Sequence, residues 1–249
     1  MTQMKIIEYG KQNRHVVILL HGGGLNWWNM REAAEMLADR FHVVLPVLDG
    51  HAESGHPFTS IEANADRLIR YIDETFDGQV LLIGGVSLGG QILVEMLSRR
   101  NAICDFAVIE SALVLPMPVT AALIRPAFSM CYPLIAKRWF ARWQFRSLRI
   151  KPALFECYYR DTCRIAKEDM TAFLSANARY RIRETLGNCS AKALVLAGGR
   201  ERPIMIRSAQ LLASGLSDAK LEILKGYSHG ELSINHADEY VQKLLRLME

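Results

Sequence analysis

Short apolar runs alternate with amphipathic stretches along most of this chain. Residues 16–20, 43–47, 80–83, 106–109, 193–197 and 221–224 are nearly continuous apolar segments, four or five residues long and bounded by turn-forming residues. Such runs predict strands covered on both faces. Between them, residues 28–40, 61–76, 91–99, 208–216 and 238–248 repeat apolar side chains at three- and four-residue spacing, the mark of helices packed on one face. Strand and helix in alternation predict a parallel sheet with right-handed crossovers, an α/β fold.

The alternation stops between residues 112 and 186. The first part, 112–136, is apolar, carries Arg125 as its only charge and is interrupted by Pro116, Pro118, Pro126 and Pro133. It is long enough to span a bilayer. The prolines and the flanking soluble pattern instead predict helices joined by turns, with Met117, Phe128 and Met130 walling an apolar pocket. The second part is basic and aromatic, from Lys137 to Lys151, and it places Arg138, Arg142, Arg146 and Arg149 on one helical face. Residues 112–186 hold thirteen Lys or Arg against five Asp or Glu, so the remainder is net acidic although the whole chain is formally +4. A solvated helix face is the first reading of that charge; attraction of carboxylate-bearing substrates and contact with an anionic lipid surface are the alternatives. No nucleic-acid-binding motif accompanies the charge, so nucleic acid is not an expected partner.

The chemistry concentrates at strand ends. Gly85-Val86-Ser87-Leu88-Gly89 joins the run 80–83 to the helical pattern at 91–99. Glycines two positions either side of Ser87 let strand and helix approach while the turn lifts the hydroxyl to a helix N-terminus, which makes Ser87 the candidate nucleophile. His21-Gly22-Gly23-Gly24 follows the run 16–20. The backbone N–H groups of Gly23 and Leu88 are the candidate oxyanion donors, Gly24 is expected to border the substrate, and His21 is read as a packing residue. His229 lies on the loop after 221–224 and Glu201 on the loop after 193–197, which gives the order serine, acid, histidine expected of a triad. Glu110, at the end of 106–109, is the rival acid. Asp49, His51, Glu53 and His56 share one turn-rich loop, but their spacing matches no metal site, and neither metal nor cofactor is expected.

With these motifs in place the chain resembles the α/β-hydrolases, and the matching residues run from His21 to His229. The resemblance implies an eight-stranded, mostly parallel sheet flanked by helices, a Ser-His-acid triad, and a helical cap inserted after strand six. Residues 1–111 and 187–249 would form the core and 112–186 the cap. The family's acid after strand seven is most often aspartate, whereas Glu201 stands here; some members place the acid after strand six, where Glu110 lies. A serine at position 87 argues against the aspartate-dependent dehalogenase and epoxide-hydrolase branches. The expected activity is hydrolysis of a small or medium apolar carboxylic ester; thioesterase, lipase, carbon–carbon bond hydrolase and a non-catalytic ligand-binding protein are the alternatives. The five widely spaced cysteines and the absence of an apolar leader in residues 1–11 make the expected location cytoplasmic.

Overall fold

In the computed structural model, residues 4–249 are described. Seven strands form one sheet: β1 (Ile6–Tyr9), β2 (Val16–Leu20), β3 (His42–Pro46), β4 (Val80–Val86), β5 (Cys104–Glu110), β6 (Lys192–Gly198) and β7 (Ala219–Leu224). Their order across the sheet is β1-β3-β2-β4-β5-β6-β7. All neighbours are parallel except β1, which runs antiparallel to β3 along one edge. The expected eighth strand is absent among the described residues.

Ten helices accompany the strands among the described residues. These are α1 (Arg31–Leu37), α2 (Ile61–Thr75), α3 (Leu88–Arg99), α4 (Pro118–Ile135), α5 (Arg138–Ser147), α6 (Phe155–Thr162), α7 (Lys167–Arg179), α8 (Pro203–Gly215), α9 (Glu231–Asn235) and α10 (Ala237–Met248). The period-two alternation of β2 explains how the layers divide. Val16, Ile18 and Leu20 face one apolar cluster, which takes Leu68 and Ile72 of α2, Ile92 and Met96 of α3, and Leu212 of α8. Val17 and Leu19 face the other, built with Leu37 of α1 and with Tyr240 and Leu244 of α10. Burial on both faces is why β2 reads as an unbroken apolar run.

Between β5 and β6 the chain adds no strand and forms α4 to α7. A third apolar cluster seats this insertion: Ala141, Phe145, Leu154 and Tyr158 pack on Leu25 and Trp28, which follow β2. One detail departs from expectation. Pro126 and Pro133 lie inside the single helix α4 instead of dividing it. Both are on its exposed side, where a carbonyl that has lost its N–H partner can be met by solvent.

Candidate active site

β4 ends at Val86 and α3 begins at Leu88, so Ser87 alone makes the turn. Its backbone is at φ 54° and ψ −113°, a strained region for a residue with a side chain. The glycines around it are steric requirements. A Cβ on Gly85 would stand 2.5 Å from the carbonyl oxygen of Gly89, and one on Gly89 would stand 2.5 Å from that of Leu20. The turn is held by the Ser87 N–H, which donates to the carbonyl of Glu110 at 2.9 Å, and by the Ser87 carbonyl, which accepts from the N–H of Gln91 at 3.0 Å.

Register brings the other groups to the same end of the sheet. Leu20 pairs with Gly85, Val86 with Glu110, and Glu110 with Leu196, so the loops leaving β2, β4, β5 and β6 converge. His229 Nε2 lies 2.9 Å from Ser87 Oγ, and His229 Nδ1 lies 2.7 Å from Glu201 Oε2. The second oxygen of Glu201 accepts from the Gly198 N–H and from Ser111 Oγ, both at 2.7 Å. The Glu201 side chain is 1% exposed against 49% for His229. Burial alone would raise the Glu201 pKa, but the hydrogen bond and charge of His229, with Ser111 and Gly198, outweigh it and hold the carboxyl below the ordinary glutamate range. An ionised Glu201 fixes the His229 tautomer with the proton on Nδ1, leaving Nε2 able to accept from the serine hydroxyl.

Glu110 does not reach His229. Its buried carboxyl turns to α9 and accepts from the N–H groups of Leu232 at 3.1 Å and Ser233 at 3.2 Å. Burial, aided by the charge of Glu201, pushes its pKa up to about 7 against the hydrogen bonds from Ser233. Ser111, which the sequence reading missed, stands between the two carboxylates. It has φ 54°, donates to Glu201 and accepts the Gly230 N–H at 3.1 Å. The only signal was its place directly after a strand's last residue.

Gly23 and Leu88 are neighbours: a Cβ on Gly23 would lie 3.4 Å from the Leu88 Cβ. The loop carrying Gly23 is fastened by two buried imidazoles. His21 Nε2 accepts the Leu48 N–H at 3.1 Å, and His51 Nε2 accepts the Gly24 N–H at 3.0 Å. Burial drives both rings toward the neutral form, His51 to about 4. In the loop at residues 49–56, Asp49 is paired with Arg67 and Glu53 with Lys5.

A cavity of about 510 Å³ opens beside Ser87 and His229. Leu25, Leu113, Met117, Ile150, Met205 and Ile234 give it apolar walls, while Arg149, Arg200 and Arg202 add positive charge. Met117 lines the cavity; Gly24, Phe128 and Met130 do not. The Gly24 amide is taken by His51, Phe128 packs against Tyr132, and Met130 is 81% exposed on α4. Arg149 also leaves the expected helical face. It lies beyond the end of α5, at φ 54°, with its guanidinium donating to Ser228 Oγ at 3.1 Å.

Residues 17–243 match the alpha/beta hydrolase family, and the chain belongs to it. No curated protein matches the sequence. Among solved structures, the chain is similar to a thermophilic esterase from Thermogutta terrifontis, with 17% identity and a TM-score of 0.78 over 99% of this chain and 94% of that one. It is similar to an enol-lactonase from Burkholderia xenovorans LB400, with 16% identity and a TM-score of 0.80 over 98% and 96%. A hydrolase from Pseudomonas aeruginosa PA01 superposes with a TM-score of 0.82 at 16% identity, over 98% and 94%. At these identities the likeness concerns the fold.

Proposed function

We propose that this hydrolase cleaves carboxylic esters through an acyl-enzyme, with Ser87 as nucleophile, His229 as base and Glu201 as the acid that orients it. The observation that carries this reading is the unbroken hydrogen-bonded series from Ser87 Oγ through the imidazole to Glu201. His229 Nε2 takes the hydroxyl proton as Ser87 Oγ attacks the ester carbonyl. The N–H groups of Gly23 and Leu88 receive the oxyanion, aided by the N-terminus of α3. As the tetrahedral adduct collapses, His229 returns the proton to the departing alcohol, and water then repeats the cycle on the acyl-serine.

The apolar walls suit a small or medium acyl group, and the arginines at the cavity suit a substrate with a carboxylate remote from the ester. Residues 112–186 serve as the cap that shapes that cavity. The five cysteines are all free, which fits a reducing, cytoplasmic setting.

Hydrolysis of p-nitrophenyl esters from acetate to palmitate tests the reading. Wild type is expected to show a rate that peaks at a short or medium chain, and Ser87→Ala to lose about 10⁴- to 10⁶-fold in kcat with an unchanged circular dichroism spectrum. Equal rates for variant and wild type would sink the assignment. Absence of turnover at every chain length would favour a thioester, a carbon–carbon bond or a purely binding role.

A further inference from the structure

The insertion turns an apolar surface outward. On α4 the residues Val119, Leu123, Pro126, Met130 and Pro133 recur at three- and four-residue steps or their sum, which places them in one stripe along the helix. All five are exposed, Val119 at 73% and Met130 at 81%. On α5, Trp139 and Trp143 are one turn apart and each 65% exposed, with Arg146 on the same face and Arg142 beside it. Exposed apolar residues scattered singly would mean little. Here, of the nine large apolar side chains exposed among the described residues, six fall between Val119 and Leu148.

The charge around this surface selects what covers it. From Ser111 to Phe155 the sequence holds seven Lys or Arg and no Asp or Glu. Arg138 pairs with Glu156 and Lys151 with Glu32. Arg125, Lys137, Arg142 and Arg146 are exposed, and none has a carboxylate partner among the described residues. A second copy packed face to face on this surface would set the same cations against each other. An anionic lipid surface meets all three features together: its phosphates pair with the cations, tryptophans favour the headgroup level, and an apolar stripe enters the acyl boundary. No helix among the described residues is long and apolar enough to cross a membrane, so the helices would lie in the surface plane.

We propose that α4 and α5 form a docking surface for bilayers rich in anionic phospholipid. The chain leaving α5 bears on the cavity, which Leu148 and Arg149 line, so docking would hold one wall of the candidate active site at the lipid surface. The surface does not depend on the reaction proposed for Ser87.

Sedimentation of the full chain with vesicles tests the surface. With phosphatidylcholine mixed with phosphatidylglycerol the protein should pellet at low ionic strength and be released by salt as the screening length shrinks from about 30 Å at 0.01 M toward 3 Å at 1 M; with phosphatidylcholine alone it should stay in the supernatant. Arg125→Glu with Arg146→Glu, neither of which breaks an ion pair, should weaken binding by at least about fivefold per cation. Trp139→Ser with Trp143→Ser should weaken it as well, while hydrolysis of a soluble short-chain ester and the circular dichroism spectrum stay as in wild type. Failure to pellet with phosphatidylglycerol vesicles at any salt would overturn the proposal, as would undiminished binding by the tryptophan variant. A concentration-dependent dimer in vesicle-free solution, lost in Met130→Ser, would assign the surface to a second copy and overturn it too.

Discussion

The hydroxyl of Ser111 touches both sides of the His229–Glu201 pair: it donates to Glu201 Oε1 and accepts the N–H of Gly230, the residue after His229. Removing it leaves the buried Gly230 N–H without its acceptor, at about 1–3 kcal/mol, and takes one donor from a Glu201 carboxylate that keeps Gly198 and His229. Ser111→Ala should therefore keep the fold but lower kcat about 10- to 100-fold with little change in KM, because acyl transfer depends on the imidazole's orientation more than substrate docking does. Steady-state kinetics beside Glu201→Gln checks this. If both variants were made together, their losses should fall short of the product of the single losses, as expected for groups in one network.

At the scale of elements, α9 has five residues, too few to hold themselves helical. Its first N–H groups are pinned by the Glu110 carboxyl, which is why the chain after His229 runs where it does. That carboxyl is buried and its pKa is raised to about 7, above the value an unfolded glutamate would have. The folded state thus keeps a proton that the unfolded chain releases. The stability contribution is complete below the ordinary glutamate range, falls as pH rises toward 7, and levels off beyond it. Urea midpoints of wild type should decline between about pH 4.5 and 7 from this group, and Glu110→Gln should flatten that decline; an identical slope in the variant would show the group is not responsible. Sequence order could not separate Glu110 from Glu201, since one ends a strand and the other lies on the loop after the neighbouring strand, and both precede His229. The separation comes from side-chain direction: β5 turns Glu110 toward α9, and the positive φ of Ser111 swings the next side chain toward Glu201. Five strands and the strand–Ser87–helix turn were legible because burial on both faces leaves continuous apolar runs; β7, an edge strand with no fully buried residue, showed only through Leu221, Ile223 and Leu224. β1 was not, since it is a half-buried four-residue edge strand whose pattern includes Glu8.

For the whole molecule, the question is what fixes the insertion against the sheet. The sequence marks only where the strand–helix alternation stops, and carries no record of how the segment sits on the sheet. The prolines of α4 resembled turn signals, and Phe128 and Met130 resembled pocket lining, because sequence records an apolar side chain without recording which way it faces. The attitude is set by contacts between distant residues. Asp161 of α6, buried, accepts from Trp28 Nε1 at 2.8 Å and from Asn26 Nδ2 at 3.2 Å. Asn26 in turn donates to the carbonyl of Ala52 at 3.0 Å, close to the loop that fastens Gly24. One carboxylate therefore ties α6 to the segment after β2, beside the apolar contacts of Trp28 with Phe145 and Tyr158. Asp161→Ala would strand the buried Trp28 Nε1–H, at about 1–3 kcal/mol, and leave Asn26 Nδ2 with the Ala52 carbonyl alone, whereas Asp161→Asn keeps an oxygen that Trp28 can use. Because the cost falls on the seam and not on the sheet, hydrogen exchange should accelerate in α5 and α6 of Asp161→Ala while β4, β5 and α10 stay as protected as in wild type, with Asp161→Asn intermediate. Uniform acceleration would mean that insertion and sheet open as a single unit. Protection lost only at the seam would give the insertion a stability of its own, separable from the core that carries Ser87 and His229.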